Sequence, residues 1–307
     1  MKTRKIGEID VTTVGVGCNN FGWQIDDKAA QQVVDAAIDC GINHFDTAEL
    51  YGDGASEKFL SKALGKRRQN VIIATKYGYD TGAHAENIKS SVEGSLKRLA
   101  TDYIDIYYLH RPDPKTPISE TLGEMSRLVE AGKVREIACS GFSAEQIREA
   151  ADVNTSSSFR ALQNEYSLLF REPETDQTLE LCARKEIGFV PYFPLKSGLL
   201  TGKYRKSQQP PGDSRLGSKE GYFSSHGNRL LTESNLDIIE KLIEFASGRD
   251  HTTLELAFSY LLAQPMVSSV IAGATKPSQI KGNAKATDWE LTEEEIAEVQ
   301  RILDEHS

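Results

Sequence analysis

"VIIATKYGYDTGAHAENIKSSVEGSLKRLATDYIDIYYLH", residues 71–110, decides the fold. It opens on an apolar run, "VIIATK" (71–76), that reads as a strand. It continues as "HAENIKSSVEGSLKRLA" (84–100), a helix, and closes on "YIDIYYLH" (103–110), a second strand. The same unit repeats on both sides. Upstream, "VTTVGVG" (11–17) reads as a strand, and "DKAAQQVVDAAIDCG" (27–41) as a helix with a Gly stop. "INHFDT" follows as a strand, and "SEKFLSKALG" (56–65) as a helix with Ser56 as N-cap and Gly65 as stop. Downstream come "ISETLGEMSRLVEAG", "VREIACSG", "SAEQIREAAD", "RALQNEY", "QTLELCARKE" and "IGFVPYFPL", alternating helix and strand.

The rhythm breaks at residues 196–231, a stretch rich in Gly, Ser, Pro and charge. It reads as a long surface loop, and loops of that length inside a compact domain are usually functional. Two helical patterns, the strand "VSSVIAGA" (267–274) and two closing helices complete the chain. Eight strands, each followed by helix, in 307 residues favour an α/β fold, a (β/α)8 TIM barrel, as one domain over 1–307. The rival, a doubly wound open sheet, usually has fewer units and a Gly-rich first turn. "RKIGEIDVTTV" reads as a short N-terminal β-hairpin before the first barrel strand.

Composition narrows the function. Hydrophobic residues are 39% and charged residues 26%, as in an ordinary globular protein. A net charge of −9 argues against nucleic acid or an anionic membrane as partner. No apolar run approaches the roughly 18 residues that span a bilayer. "MKTRKIGEID" lacks the apolar core of a secretory signal. Cys18, Cys40, Cys139 and Cys182 form no C-x-x-C pair and read as reduced thiols of a cytoplasmic protein. No metal is expected, and the oligomeric state stays open.

Barrels of this kind carry their active sites at the C-terminal ends of the strands. Those ends deliver Asp46, Lys76 and His110 in succession, with Tyr51 on the loop after Asp46. Other ends offer Ser140, Gln163 with Asn164, and Tyr192. Taken singly, each has a plain reading as turn, rim or packing residue. All four together at adjacent positions favour a site. A phenol is a poor acid near neutrality unless its anion is stabilised, and a nearby ammonium does that. A carboxylate would hold the ammonium, and a neutral imidazole can polarise a carbonyl. Such a set protonates an alkoxide as it forms, which hydride addition to a carbonyl requires, and hydride chemistry implies a nicotinamide or flavin. "GVGCNN" (15–20) has Asn20 where a dinucleotide fingerprint needs its third glycine. "GATKPSQIKGN" (273–283), after the eighth strand and opening a helix, is the better phosphate site.

The motifs "FDTAELYGDGASE", "ATKYG", "YIDIYYLHRPD", "GKVREIACSGFS", "LQNEYSLL" and "VIAGATKPSQIKGN" occur in the order that marks the aldo-keto reductases, which the chain resembles over nearly its whole length. The resemblance implies a barrel that binds NADP(H), in preference to NAD(H), without a Rossmann domain. It implies Tyr51 as general acid in carbonyl reduction, Lys76 lowering its pKa, Asp46 holding Lys76, and His110 orienting the carbonyl. Ser140 and Gln163 match positions that bond the nicotinamide carboxamide, and Tyr192 matches the aromatic that stacks on the ring. Gly198 and Leu199 match the pyrophosphate loop. Gly273, Thr275, Lys276, Gln279 and Asn283 match the region of the adenosine 2′-phosphate. One departure stands out: Gly141 follows Ser140 where many members carry Asn. Phe21, Trp23, Tyr77 and the long loop after the seventh strand are placed to line a substrate mouth. The activity so implied is reversible reduction of a small aldehyde or ketone. Two other readings are an NADP(H)-binding regulatory subunit with slow turnover and a Schiff-base aldolase using Lys76.

Overall fold

The run "VTTVGVG" breaks at Thr13, and the break separates the floor of the barrel from its wall. β1 (Thr3–Ile6) and β2 (Ile9–Thr12) form the antiparallel hairpin, while β3 (Val14–Gly17) enters the barrel. The expected single strand over 11–17 is therefore two. The Thr12 hydroxyl donates to the Val14 carbonyl at 2.7 Å and locks the corner. These features come from a computed structural model that describes residues 1–212, 214–217 and 229–305.

The barrel strands continue as β4 (His44–Asp46), β5 (Ile72–Tyr77), β6 (Ile104–Leu109), β7 (Val134–Ser140), β8 (Ala161–Glu165), β9 (Gly188–Tyr192) and β10 (Val270–Gly273). They pair in parallel in the order β10-β3-β4-β5-β6-β7-β8-β9. The ring closes through a parallel bridge between Phe189 and Val267, where Phe189 N–H donates to Met266 O at 2.7 Å and Ser268 N–H to Phe189 O at 2.8 Å.

Two apolar clusters divide the interior. The larger lies between the strands and the surrounding helices. The smaller fills the barrel with Ala74, Ile106, Tyr108, Ala138, Ala161, Val190 and Ile271, and includes Ile6, Ile9 and Val11 of the hairpin. The hairpin thus plugs the N-terminal end. Each such buried aliphatic side chain is worth roughly 1.5–3 kcal/mol.

Among the described residues, the main helices are α1 (Asp27–Asp39), α2 (Ala55–Leu64), α3 (Ala85–Leu99), α4 (Ile118–Glu130), α5 (Ala144–Ala151), α6 (Glu172–Thr175), α7 (Thr178–Lys185), α8 (Glu233–Ser247), α9 (Thr253–Leu262), α10 (Pro277–Lys285) and α11 (Glu293–Asp304). Among the described residues, none is long and apolar enough to cross a membrane. Gly65 ends α2 with a φ of +51°, as its composition suggests. Ser56 is not the N-cap of α2, however. That position belongs to Gly54, and the buried Ser56 hydroxyl donates to Cys18 O at 2.8 Å and meets Thr47 Oγ1 at 2.8 Å. It ties α2 to the ends of β3 and β4. Within the expected loop 196–231, Lys196–Thr201 and Arg215–Gly217 form short 3-10 turns, while residues 213 and 218–228 lie outside the described residues.

Candidate active site

Side chains alternate across a strand, so the residue two places after one that points inward also points inward. Ala74, Tyr108, Ala138, Ala161, Val190 and Ile271 all belong to the barrel interior. Two residues beyond them stand Lys76, His110, Ser140, Gln163, Tyr192 and Gly273. Asp46 follows the buried His44 by the same step. The candidate site is thus the next layer above the packed interior, at the C-terminal rim.

At its centre the fully buried Lys76 Nζ donates to Asp46 Oδ1 at 2.5 Å and to Thr47 O at 2.9 Å. The second Asp46 oxygen accepts from Gln163 Nε2 at 2.8 Å. Lys76 Nζ also lies 5.2 Å from the Tyr51 ring centre and 5.9 Å from that of Tyr108. Burial works to lower the Lys76 pKa, but the Asp46 carboxylate and then Tyr51 outweigh it, and the pKa is raised. The ammonium is a fixed cation.

Tyr51 reaches the site on a tight loop. Gly52, Asp53 and Gly54 have φ of +58°, +53° and +78° in succession. A Cβ on Gly52 would stand 3.1 Å from Phe21 O and 3.2 Å from Gly22 O, so both conformation and space call for glycine there. Burial raises the Tyr51 pKa, Lys76 pulls it down, and Asp46 pushes it up again. The net shift is upward: Lys76 acts in the expected direction but does not overcome burial. His110 packs edge-on against Tyr51 (centroids 5.8 Å apart) and against Tyr79 (4.9 Å). Burial first, then Lys76 and Arg111, lower its pKa to about 3, so the imidazole is neutral. Its Nδ1 is buried and meets no hydrogen-bond partner among the described residues.

Above this layer opens a cavity of about 1520 Å³. Its wall includes Asp46, Tyr51, His110, Ser140, Gln163, Tyr192, Gly198, Gly273, Thr275, Lys276, Gln279 and Asn283. Lys76 and Leu199 are buried beneath the surface instead. Lys76 acts through its neighbours, and the Leu199 side chain belongs to the core. Gln163, expected at a nicotinamide, spends its amide N–H on Asp46. Gly141 has a φ of +71°, and its N–H donates to Asn164 Oδ1 at 2.8 Å. The strand-end turn is thereby held by Asn164, whose Nδ2 donates to Phe142 O.

Two stretches of wall suit a phosphorylated ligand. Lys196, Ser197 and Gly198 have φ of +42°, +56° and +91°. A Cβ on Gly198 would lie 2.9 Å from Lys203 Nζ, so the ammonium occupies the space a side chain would need. At the start of α10, Gln279 Oε1 accepts from Thr275 N–H (2.7 Å), Lys276 N–H (3.1 Å) and Thr275 Oγ1 (3.2 Å). One oxygen with three donors marks the place an anionic oxygen would take at a helix N-terminus. Among the described residues, the charged members of the wall are Asp46, Arg111, Lys203, Arg215 and Lys276. With Asp46 paired to Lys76, the described part of the wall is cationic in a chain of net charge −9.

Of the expected substrate mouth, the long loop after the seventh barrel strand does reach the cavity wall, through Pro211, Gly212, Ser214, Arg215 and Gly217, whereas the three aromatic residues do not line it. Tyr77 points outward, since Lys76 before it points inward, and it stacks on Tyr107 at 4.8 Å within the outer core. Phe21 is buried in the same core, and the exposed Trp23 is not on the cavity wall. Leu50, Tyr79 and Phe193, each about two-fifths exposed, line the mouth instead. Tyr79 was not within reach of the strand-end rule: alternation gives it the outward parity of Tyr77, and it lies on the cavity wall after the chain turns at Gly78, whose φ is +80°. Asn20 and Arg215 were missed too. Arg215 Nη2 donates to Asn20 Oδ1 at 2.8 Å and so ties the long segment after β9 to the end of β3. Asn20 is a strand-end residue of the first barrel strand, whereas Arg215 sits in a tract with no periodicity to place it.

A family model described as "Aldo/keto reductase family" matches residues 13–304. A "Probable voltage-gated potassium channel subunit beta" of Oryza sativa subsp. japonica is 36% identical over 297 residues, covering 92% of this chain and 90% of that protein. The "Aldo-keto reductase yakc [NADP(+)]" of Schizosaccharomyces pombe is 32% identical over 319 residues, covering 98% and 91%. Among solved structures, a glycerol dehydrogenase from Gluconobacter oxydans superposes with a TM-score of 0.84 at 29% identity, over 99% of this chain and 95% of that one.

Proposed function

The chain belongs to the aldo/keto reductase family, and from that premise we propose that it reduces aldehydes or ketones to alcohols, reversibly, with NADP(H) and with Tyr51 as the proton donor. The observation that carries the reading is the buried Asp46–Lys76 pair beneath Tyr51, with neutral His110 beside it. When bound, the nicotinamide supplies the hydride or takes it back.

Tyr51 keeps its proton at neutral pH because burial holds its pKa up. It gives that proton to the carbonyl oxygen, and the phenolate left behind faces the Lys76 ammonium. Lys76 is positioned for this by Asp46 and by the Thr47 carbonyl, and Asp46 in turn by Gln163. Neutral His110 is suited to donate a hydrogen bond to the same oxygen, as a pre-placed polarising group. In oxidation the phenolate takes the proton back. Ser140 and Tyr192 would hold the nicotinamide end, the Gly198 segment the pyrophosphate, and Thr275, Lys276 and Asn283 the adenosine phosphate. Lys276, the cationic wall and the NADP(+) in the name of the Schizosaccharomyces pombe relative support NADP(H) over NAD(H).

Lys76 is a poor candidate for a Schiff base. A nucleophilic lysine needs a depressed pKa and access to substrate, whereas Lys76 is ion-paired, raised in pKa and buried. The regulatory-subunit reading draws on the name of the Oryza sativa relative and would give tight NADPH binding with slow turnover.

One experiment tests the assignment. Tyr51→Phe should abolish carbonyl-dependent NADPH oxidation while NADPH binding, followed by fluorescence quenching, survives. Turnover near the wild-type rate in that variant sinks Tyr51 as the acid. Binding without turnover in the wild-type protein, across aldehydes, ketones and sugars, favours the regulatory reading.

A further inference from the structure

Arg111 is a cation of the cavity wall that the proposed chemistry leaves unused. It follows His110 directly, beyond β6. Its guanidinium lies 4.6 Å from the Tyr79 ring centre, Tyr79 packs against His110, and His110 packs against Tyr51. A guanidinium, two aromatic rings and the phenol thus form one continuous row along the cavity wall. Arg111 meets Asp80 by a single contact, Nη2 to Oδ1 at 3.4 Å, with side chains 49% and 69% exposed. A long, one-point pair in water is weak and exchanges readily. The planar fork of an arginine binds a carboxylate or phosphate through two parallel bonds, which Asp80 does not supply.

Arg111 also stands apart from the other cations of the wall. Lys203 and Arg215 lie on the segment after β9, and Lys276 follows β10, the neighbour of β9 around the ring. Counting from β10 through β3, β4 and β5, or through β9, β8 and β7, β6 is the fourth strand either way. Arg111 therefore faces the cavity from the side opposite Lys276. A ligand whose phosphates occupy the β9–β10 side leaves this guanidinium to a second molecule. The mouth beside it is walled by Leu50, Tyr79 and Phe193, which suits a short carbon chain.

We propose that Arg111 selects short carbonyl compounds bearing a carboxylate or phosphate, pairing with that anion while the carbonyl lies at Tyr51 and His110. This deepens the reductase reading and rests on it. An incoming anion takes the place of Asp80 on the guanidinium, and Tyr79 keeps the fork in plane.

The test measures NADPH oxidation with matched pairs: succinic semialdehyde against butanal, and glyceraldehyde 3-phosphate against glyceraldehyde. In the wild-type protein, kcat/KM is expected to be about tenfold or more higher for the anionic member of at least one pair. The pair that responds separates a carboxylate from a phosphate. Arg111→Met should lower kcat/KM for that anionic member about 10- to 100-fold more than for its neutral partner, chiefly through KM. Arg111→Lys should recover part of the difference, since it restores charge without the fork. NADPH quenching titrated alongside shows that the barrel and its β10 end are intact. Equal rates within both pairs, or equal losses on both members in Arg111→Met, overturn the proposal and leave the reductase reading standing. No NADPH oxidation with any of the compounds overturns both.

Discussion

Replacing Lys76 with methionine leaves an unbranched side chain one atom shorter and removes the charge, which separates two consequences of one buried cation. The first is kinetic. At the 5.2 Å between Nζ and the Tyr51 ring centre, a unit charge in surroundings of effective dielectric about 20 is worth about 3 kcal/mol to a phenolate. That is about two decades in rate, so kcat for carbonyl reduction should fall about 100-fold or more in Lys76→Met. The second is structural. Asp46 would keep its bond from Gln163 but lose its cation, and a buried pair broken on one side typically costs about 3–5 kcal/mol. Urea denaturation should show that loss as a lower midpoint. The double variant Lys76→Met/Asp46→Asn removes the orphaned charge as well, and should regain much of the stability while staying catalytically impaired. A kcat within threefold of wild type refutes the ammonium as support for the phenolate. A double variant no more stable than Lys76→Met refutes the buried-charge reasoning.

Two further outcomes follow from individual residues. His44 is fully buried, bonded through Nδ1 to Ser269 Oγ at 2.9 Å, and burial lowers its pKa to about 4. The unfolded chain takes up a proton near the ordinary value of about 6.5 and the native one does not, so stability is full above that pH and is lost as pH falls toward 4. The loss attributable to His44 is about 3 kcal/mol, and His44→Gln should shrink the difference between denaturation midpoints at pH 7 and pH 5; an unchanged difference rules His44 out as its source. Gly141→Asn should fold, because asparagine tolerates a φ of +71° and a Cβ there meets Pro112 Cδ at an ordinary 3.6 Å. Its destabilisation should stay within about 1 kcal/mol, with NADPH binding tightened by the added amide; a loss of more than twice that size refutes the account of this turn.

The barrel was legible because its signal is additive: eight apolar runs with helices between them survive an error in any one. What escaped were positions where a local preference lost to a tertiary bond. Ser56 has the chemistry of an N-cap, yet its hydroxyl is worth more turned inward to Cys18 and Thr47. "VTTVGVG" has an unbroken β character, yet Thr13 must turn to let one half plug the barrel and the other build it. In the site, the strand-end rule located the residues that the structure brings together around Asp46, because each lies an even step beyond a packed interior residue. The same alternation, applied to Tyr77, would have sent it outward; Tyr79 has the same parity and comes to the cavity through the turn at Gly78, which alternation does not describe. Arg215 was beyond reach, since its meeting with Asn20 spans 195 positions of sequence and rests on no pattern within its own loop.

The start of α10 carries a consequence for how a ligand arrives and leaves. Gln279 already satisfies the Thr275 and Lys276 amides, so the adenosine phosphate proposed for this end would find an occupied seat. Docking there would be an exchange of one acceptor for another, with little change in the number of bonds. The gain comes from charge rather than from hydrogen bonding, and charge is the part that salt erodes. The same glutamine can swing back as the phosphate withdraws, so the helix end is never stripped bare along the way out. Grip at this end of the cavity should therefore weaken as ionic strength rises, and release should proceed without a costly unsatisfied intermediate.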